Sequence, residues 1–374
     1  MFEEYPEKVF DFGAYGNLSR EEITGIIGDF NSMAKKGFYY QPWVQFSEPL
    51  FNSKNVNVVT DETGIPMRKT PNPPLSIVNS QFSIVKVYTF GGSTTFGYNV
   101  ADNQTYPYYL GKLLNEKAKE KDLQIHIEVV NYGRGYYESS QEMQLLIDLL
   151  KLGHRPSLVM FMDGLNTGQG MDIPCFSEEL VNRFYKMQFA KESDNWEKSR
   201  IPMLRLAYSF KKKLRAGVNK DKIRFDDEAG RINAPLYLNR FAQNKEIIKK
   251  VCALYGIDCV FFSQPNAYYN YPMELYEGRI KFEPEDRPAW DNFFKTYLLR
   301  NPDVISFHGL FAKWGRKAIV DFSHYSPGFN EFVAQHIADF IDLNKLAEKP
   351  FQLDTLAATG KNRSIAQKIF EMSK

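Results

Sequence analysis

SIVKVYTFGGSTTFG, residues 83–97, is the stretch on which the fold turns. Its first eight residues are an apolar β-type run, and Gly91-Gly92-Ser93-Thr94-Thr95 then lets the backbone turn sharply, with Ser93 free to stand at a helix amino terminus. QTYPYYLGKLLNEKAKEK follows as a helix pattern, and IHIEVV as a second strand. Strand, helix and strand in this order form a βαβ unit. The alternation continues with a helix near Glu138 to Leu152, the strand SLVMFM, a helix near Lys245 to Tyr255 and the strand CVFFS. The expected fold is a three-layer α/β/α sandwich on a parallel sheet.

Working outward, an insert from about Gly168 to Asn239 interrupts the alternation between the third and fourth strands. Loops at the carboxyl ends of parallel strands border the crevice where α/β proteins bind ligands, so the insert reads as a lid or cap. A solvated surface excursion is the plain alternative. Residues 1–80 read as an N-terminal extension, with an aromatic cluster (Phe38, Tyr39, Tyr40, Trp43, Phe46) and a proline-rich strap, TPNPP, at 70–74. Residues 81–343 form the main domain, and residues 344–374 a helical tail.

Composition removes several classes of partner. Among 374 residues, Lys+Arg 47 against Asp+Glu 45 gives a net charge of +2, too balanced to supply a nucleic-acid-binding field or a polybasic membrane anchor. Apolar runs such as Leu158 to Met162 fall far short of the roughly 18 residues that span a bilayer. The start, MFEEYPEK, lacks the basic then apolar order of a signal peptide, so the chain as it stands reads as soluble and cytoplasmic. Cys175, Cys252 and Cys259 show no CxxC spacing, which disfavours a disulfide framework or a structural zinc site and mildly prefers a reducing compartment.

In a parallel sheet all carboxyl ends open onto one edge, so residues after different strands converge. After the first strand stands Ser93; after the second, Asn131-Tyr132-Gly133-Arg134-Gly135; after the third, Asp163-Gly164-Leu165-Asn166. Near the end, Asp321-Phe322-Ser323-His324 precedes the helix pattern YSPGFNEFVAQHIADFI. Serine is a poor nucleophile without a base, and the base needs a partner that fixes its tautomer; His324 and Asp321 fit these roles. A tetrahedral oxyanion needs aimed donors. The candidates are the Ser93 amide, an amide of the Gly133 to Tyr136 turn, and the Asn166 side chain. Gln264, Asn266 and Tyr268, after the fourth strand, sit at the edge where a substrate would lie.

Two phosphate readings of the same glycines fail. Gly92 to Gly97 has Walker-like spacing, but Tyr98 and Asn99 replace the required Lys-Ser/Thr. Gly133-x-Gly135 opens a helix, yet Glu138 puts a carboxylate where a pyrophosphate would dock. No HExxH or clustered His/Asp/Glu pattern calls for a metal, and the expected chemistry requires no cofactor. Of the other histidines, His126, His154 and His336 read as structural, and His308 follows an apolar run close enough to the edge to bear on a pocket.

Four ordered blocks, FGGSTTFG, NYGRGYYESSQE, FMDGLN and DFSHYSPGFNEF, resemble the SGNH hydrolases of the GDSL lipase/esterase superfamily from about Val87 to Ile341. The resemblance implies a flavodoxin-like fold with strand order 2-1-3-4-5. It implies Ser93 as nucleophile and, through its amide, an oxyanion donor, Asn166 as a second donor, and Asp321 and His324 as the remaining triad members. The family's oxyanion glycine falls on Tyr136, with Gly135 one place earlier, and Thr167 stands where Asp is frequent. The extension, with Tyr40-x-Pro42, Asn57, Gly64 and Arg68, resembles the leader of bacterial members associated with surface polysaccharides. Such relatives are often tethered to a membrane at the amino terminus, so export or tethering is the alternative to a cytoplasmic location. The implied activity is a serine esterase acting on O-acyl, above all O-acetyl, esters of a carbohydrate. A lipase, thioesterase or O-acyltransferase would use the same triad, and a noncatalytic binding protein could keep the fold. No partner protein is indicated.

Overall fold

The apolar run that opens the alternation forms a nine-residue strand, Ser83–Gly91 (β6; elements are numbered in chain order). The computed structural model describes residues 9–71, 82–168, 227–266, 271, 275 and 287–353. β6 pairs in parallel with Ile125–Asn131 (β7) on one side and Leu158–Asp163 (β9) on the other. Asp258–Ser263 (β10) and the short Ile305–Ser306 (β11) follow, each parallel to its neighbour. Numbered among themselves, the parallel strands lie in the order 2-1-3-4-5, as expected.

Both faces of this sheet are covered, which explains why the strands read as near-continuous apolar runs. Val85 and Val87 of β6 pack with Leu110 and Leu114 of Tyr106–Glu120 (α3). The same face receives Leu310–Trp314 (α8), Pro327–Ala338 (α9) and Leu343–Ala347 (α10). Tyr88 and Phe90 point the other way, toward Leu145 and Leu149 of Ser139–Lys151 (α4), Phe241 of Asp227–Leu254 (α6) and Phe294 of Arg287–Arg300 (α7). On that face the rings of Phe90, Phe161 and Phe261 stack across three strands at 4.9 and 5.1 Å. The result is a three-layer α/β/α sandwich. α6 begins inside the segment read as a cap; residues 169–226 of that segment, with Cys175, lie outside the described residues, as do residues 354–374 of the tail.

The N-terminal extension adds antiparallel strands to one edge of this parallel sheet. Pro66–Arg68 (β5) pairs antiparallel with β7, and Asn57–Thr60 (β4) and Phe51–Asn52 (β3) continue outward in the antiparallel sense. These strands have two to four residues, too few for alternation to declare them. The extension also carries the capped helix Arg20–Ala34 (α1) and a hairpin of Tyr39–Gln41 (β1) and Gln45–Ser47 (β2). Late in the chain, Gln352–Leu353 (β12) pairs antiparallel with His154–Arg155 (β8).

Two residues noted in the extension have a physical role. Arg68 is fully buried, and its Nε donates to Asp102 Oδ1 at 2.7 Å while Asn57 Nδ2 donates to Asp102 Oδ2 at 2.6 Å. The Arg68 guanidinium lies between the rings of Phe30 and Phe96, at 5.2 and 5.0 Å. Removing one member of a buried pair leaves an uncompensated charge, so Arg68→Met is expected to destabilise the protein by about 3–5 kcal/mol. A urea midpoint unchanged from wild type would show that the extension is not anchored this way.

Candidate active site

β6 ends at Gly91, whose φ of +153° suits glycine, and Gly92 then caps the short helix Ser93–Phe96 (α2). The turn is crowded by design: a Cβ on Gly92 would lie 2.5 Å from Asn166 Nδ2. That proximity sets the Asn166 amide, on Leu165–Gly168 (α5) after β9, against the peptide that leads into Ser93. The Asn131 side chain straps the next loop to α2, accepting from Gly133 N at 2.9 Å and donating to Thr95 O at 2.8 Å.

Asp321 and His324 meet directly. His324 Nδ1 lies 2.6 Å from Asp321 Oδ2, and Asn99 Nδ2 donates to the same oxygen at 2.6 Å. Asp321 Oδ1 accepts from the amides of Ser323 and His324, each at 2.9 Å. Burial works to raise the Asp321 pKa, but the His324 charge and these hydrogen bonds outweigh it and hold the carboxyl below its ordinary value. The loop that carries them is closed by Val320 N donating to His324 O at 2.9 Å and Ser326 N to Ala318 O at 2.8 Å. Ser326 then caps α9 through Phe329 N, and Pro327 occupies its first turn.

Tyr98 touches both the Ser93 turn and His324. The Tyr98 amide donates to Ser93 O at 3.1 Å, and its ring stacks on the imidazole at 5.3 Å and 19°. Among the described residues no hydrogen bond joins the Ser93 hydroxyl to His324, a contact that in many hydrolases tightens only with substrate.

Asn166 Nδ2 uses one hydrogen on Tyr137 O at 2.6 Å, which leaves its second. The Gly135 amide, an expected alternative, is engaged: it donates to Glu48 Oε1 at 2.5 Å. Gly133 N bonds Asn131 Oδ1, Arg134 N bonds Gly91 O and Tyr137 N bonds Arg134 O. The remaining amide of that turn is that of Tyr136, which takes the left-handed conformation, φ +64°, at the position where the resemblance puts a glycine.

The expected substrate residues fare differently. Gln264 is buried, and its Oε1 accepts from Leu165 N at 3.2 Å, bracing the turn that carries Asn166. Asn266 is also buried, and Tyr268 lies outside the described residues. His308 is packed edge-on against Phe294 at 4.5 Å, and burial pushes its pKa down to about 4. Glu48, Tyr98 and Asn99 are the site residues the sequence did not declare. Glu142 is buried beside Asp163, and burial and the Asp163 charge push its pKa well up. Among the described residues no group of three or more His, Cys, Asp or Glu could hold a metal ion, and no helix is long and apolar enough to cross a membrane.

A parallel 2-1-3-4-5 sheet with Ser93, Asn166 and the Asp321–His324 pair at its carboxyl edge resembles the SGNH hydrolases. No protein-family model matches the sequence, and no curated protein matches it. Several solved structures are similar. An acetyl xylan esterase is 13% identical with a TM-score of 0.36, over 69% of this chain and 100% of the other. A Pseudoalteromonas esterase is 10% identical at 0.35, over 68% and 94%. A Geobacillus acetyl-xylooligosaccharide esterase is 13% identical at 0.35, over 72% and 96%. At such identities the functional reading rests on this chain's own residues.

Proposed function

We propose that the chain is a serine ester hydrolase that removes O-acetyl groups from a carbohydrate. The observation that carries this reading is the 2.6 Å contact of Asp321 with His324 Nδ1, made by a carboxylate that three further donors hold in place beside the Ser93 turn. With Nδ1–H on Asp321, Nε2 is a base. It takes the Ser93 proton as Oγ attacks the ester carbonyl, and the oxyanion receives hydrogen bonds from Ser93 N, Asn166 Nδ2 and Tyr136 N. His324 returns the proton to the leaving sugar hydroxyl, and water attacks the acyl-enzyme with His324 again as base.

The carbohydrate part is supported by the β1–β2 hairpin. Tyr39, Tyr40 and Trp43 are exposed there, Trp43 to 78%. The hairpin is joined to the oxyanion turn through Phe38, whose ring meets Tyr136 at 6.1 Å, and through Gln45 Oε1, which accepts from Gln141 Nε2 at 3.0 Å. Aromatic faces next to the site suit the apolar faces of pyranoses. The test compares p-nitrophenyl acetate, p-nitrophenyl octanoate and an acetylated xylo-oligosaccharide. The acetate should turn over faster than the octanoate, and Trp43→Ala should raise KM for the oligosaccharide by about tenfold, the loss of one stacking contact, while leaving the acetate unchanged. A strong preference for octanoate overturns the acetylesterase; equal effects of Trp43→Ala on both acetyl esters overturn the sugar platform.

A further inference from the structure

Glu48 comes from the extension, just after β2, and is 1% exposed. Its Oε1 accepts from two donors that belong to different parts of the site: Gly135 N at 2.5 Å and Tyr98 Oη at 3.1 Å. Its Oε2 lies 3.7 Å from Arg134 Nη1, and the Arg134 Nη2 donates to Pro66 O. A carboxylate so deeply buried is expensive unless its charge is compensated. Burial raises its pKa above the ordinary carboxylate value, and Arg134, the Gly135 amide and the Tyr98 hydroxyl offset part of that rise.

We propose that Glu48 is a positioning residue for the hydrolysis, tying the oxyanion turn and the His324 imidazole into one unit. The proposal rests on the esterase reading. Toward the turn, its bond to Gly135 N fixes the peptide before Tyr136, so the left-handed Tyr136 keeps its amide for the oxyanion. A Cβ on Gly135 would lie 2.6 Å from Tyr98 Oη and 3.1 Å from Glu48 Oε1, so that residue must be glycine for the three groups to meet. Toward the histidine, the Tyr98 hydroxyl donates to the carboxylate, which enriches the ring in electrons. That ring is stacked on the imidazole and attracts the imidazolium formed as Ser93 loses its proton. Glu48 touches neither ester nor Ser93; it acts through Gly135 and Tyr98.

The experiment measures kcat and KM on p-nitrophenyl acetate for wild type, Glu48→Gln and Tyr98→Phe, with thermal melting as the check on folding. Glu48→Gln keeps the volume but cannot hold both donors with a full charge, and kcat is expected to fall about 10²-fold, the scale of a 1 Å misplacement, with KM within about twofold. Tyr98→Phe keeps the stacked ring and removes only the bond to Glu48; kcat is expected to fall about fivefold, the worth of one modest hydrogen bond. Wild-type kcat in Glu48→Gln overturns the proposal, as does a parallel loss of kcat and KM with a lowered melting temperature, which marks a purely structural ion pair. Should Glu48→Gln fail to fold, an unchanged kcat in Tyr98→Phe overturns the coupling. The two failures are separable: an inactive wild type sinks the esterase reading and this proposal together, whereas an active wild type with an equally active Glu48→Gln sinks this proposal alone.

Discussion

Ser93→Ala is expected to lower kcat on p-nitrophenyl acetate by about 10⁶-fold while leaving the melting temperature near wild type. The large effect follows from the chemistry: without Oγ there is no acyl-enzyme, and His324 and Asp321 have no proton to move. The mild effect on folding follows from the position. Ser93 is the first residue of α2, capped from the backbone of Gly92, and the bonds that hold the turn run to its carbonyl from Gly97 N at 2.9 Å and Tyr98 N at 3.1 Å. An alanine keeps both. A residual rate of about 10³ over water would survive from the oxyanion donors alone. Activity within tenfold of wild type would remove Ser93 from the mechanism.

Asp321→Asn should cost about 10⁴-fold in kcat. Asp321 Oδ2 stands between two donors, His324 Nδ1 and Asn99 Nδ2, each at 2.6 Å. An asparagine there offers one acceptor oxygen, already claimed by the amides of Ser323 and His324, and would turn an NH₂ toward the imidazole. The ring then takes the wrong tautomer, with its proton on the nitrogen that should face Ser93. The same substitution affects stability with a defined sign. Because the folded-state pKa of Asp321 is lowered, the ionised carboxylate stabilises the fold above the ordinary carboxylate value of about 4, and that contribution is lost as pH falls through the lowered value. The stability gap between wild type and Asp321→Asn should therefore be widest near neutral pH and close in acid, measured by urea unfolding at several pH values.

The strand alternation was legible because the central parallel strands are largely buried on both faces, so their residues are mostly apolar, without a break in 158–162. The Asp321-x-x-His324 turn was equally legible, since three residues suffice to fold the carboxylate onto the ring. The antiparallel strands β3 to β5 were not, because they are too short for a period, and β4 and β5 are anchored by Asn57 and Arg68 on the distant Asp102. Glu48 was invisible for a related reason: an acidic residue in an extension reads as solvated, and only the fold shows it buried against Gly135. That the Gly135 amide is engaged was equally hidden, because its acceptor lies 87 residues earlier in the chain. The choice between Gly135 and Tyr136 rested on alignment to a glycine; the left-handed backbone at Tyr136 explains why glycine suits that place.

The most direct measurement is to react the protein with a fluorophosphonate and locate the adduct by peptide mass spectrometry. One phosphonyl group on the oxygen of Ser93, lost in Ser93→Ala and strongly slowed in His324→Ala, is the predicted result. An adduct on another serine, or ester turnover that persists with Ser93 unmodified, would contradict the assignment of nucleophile and base at the carboxyl edge of the sheet.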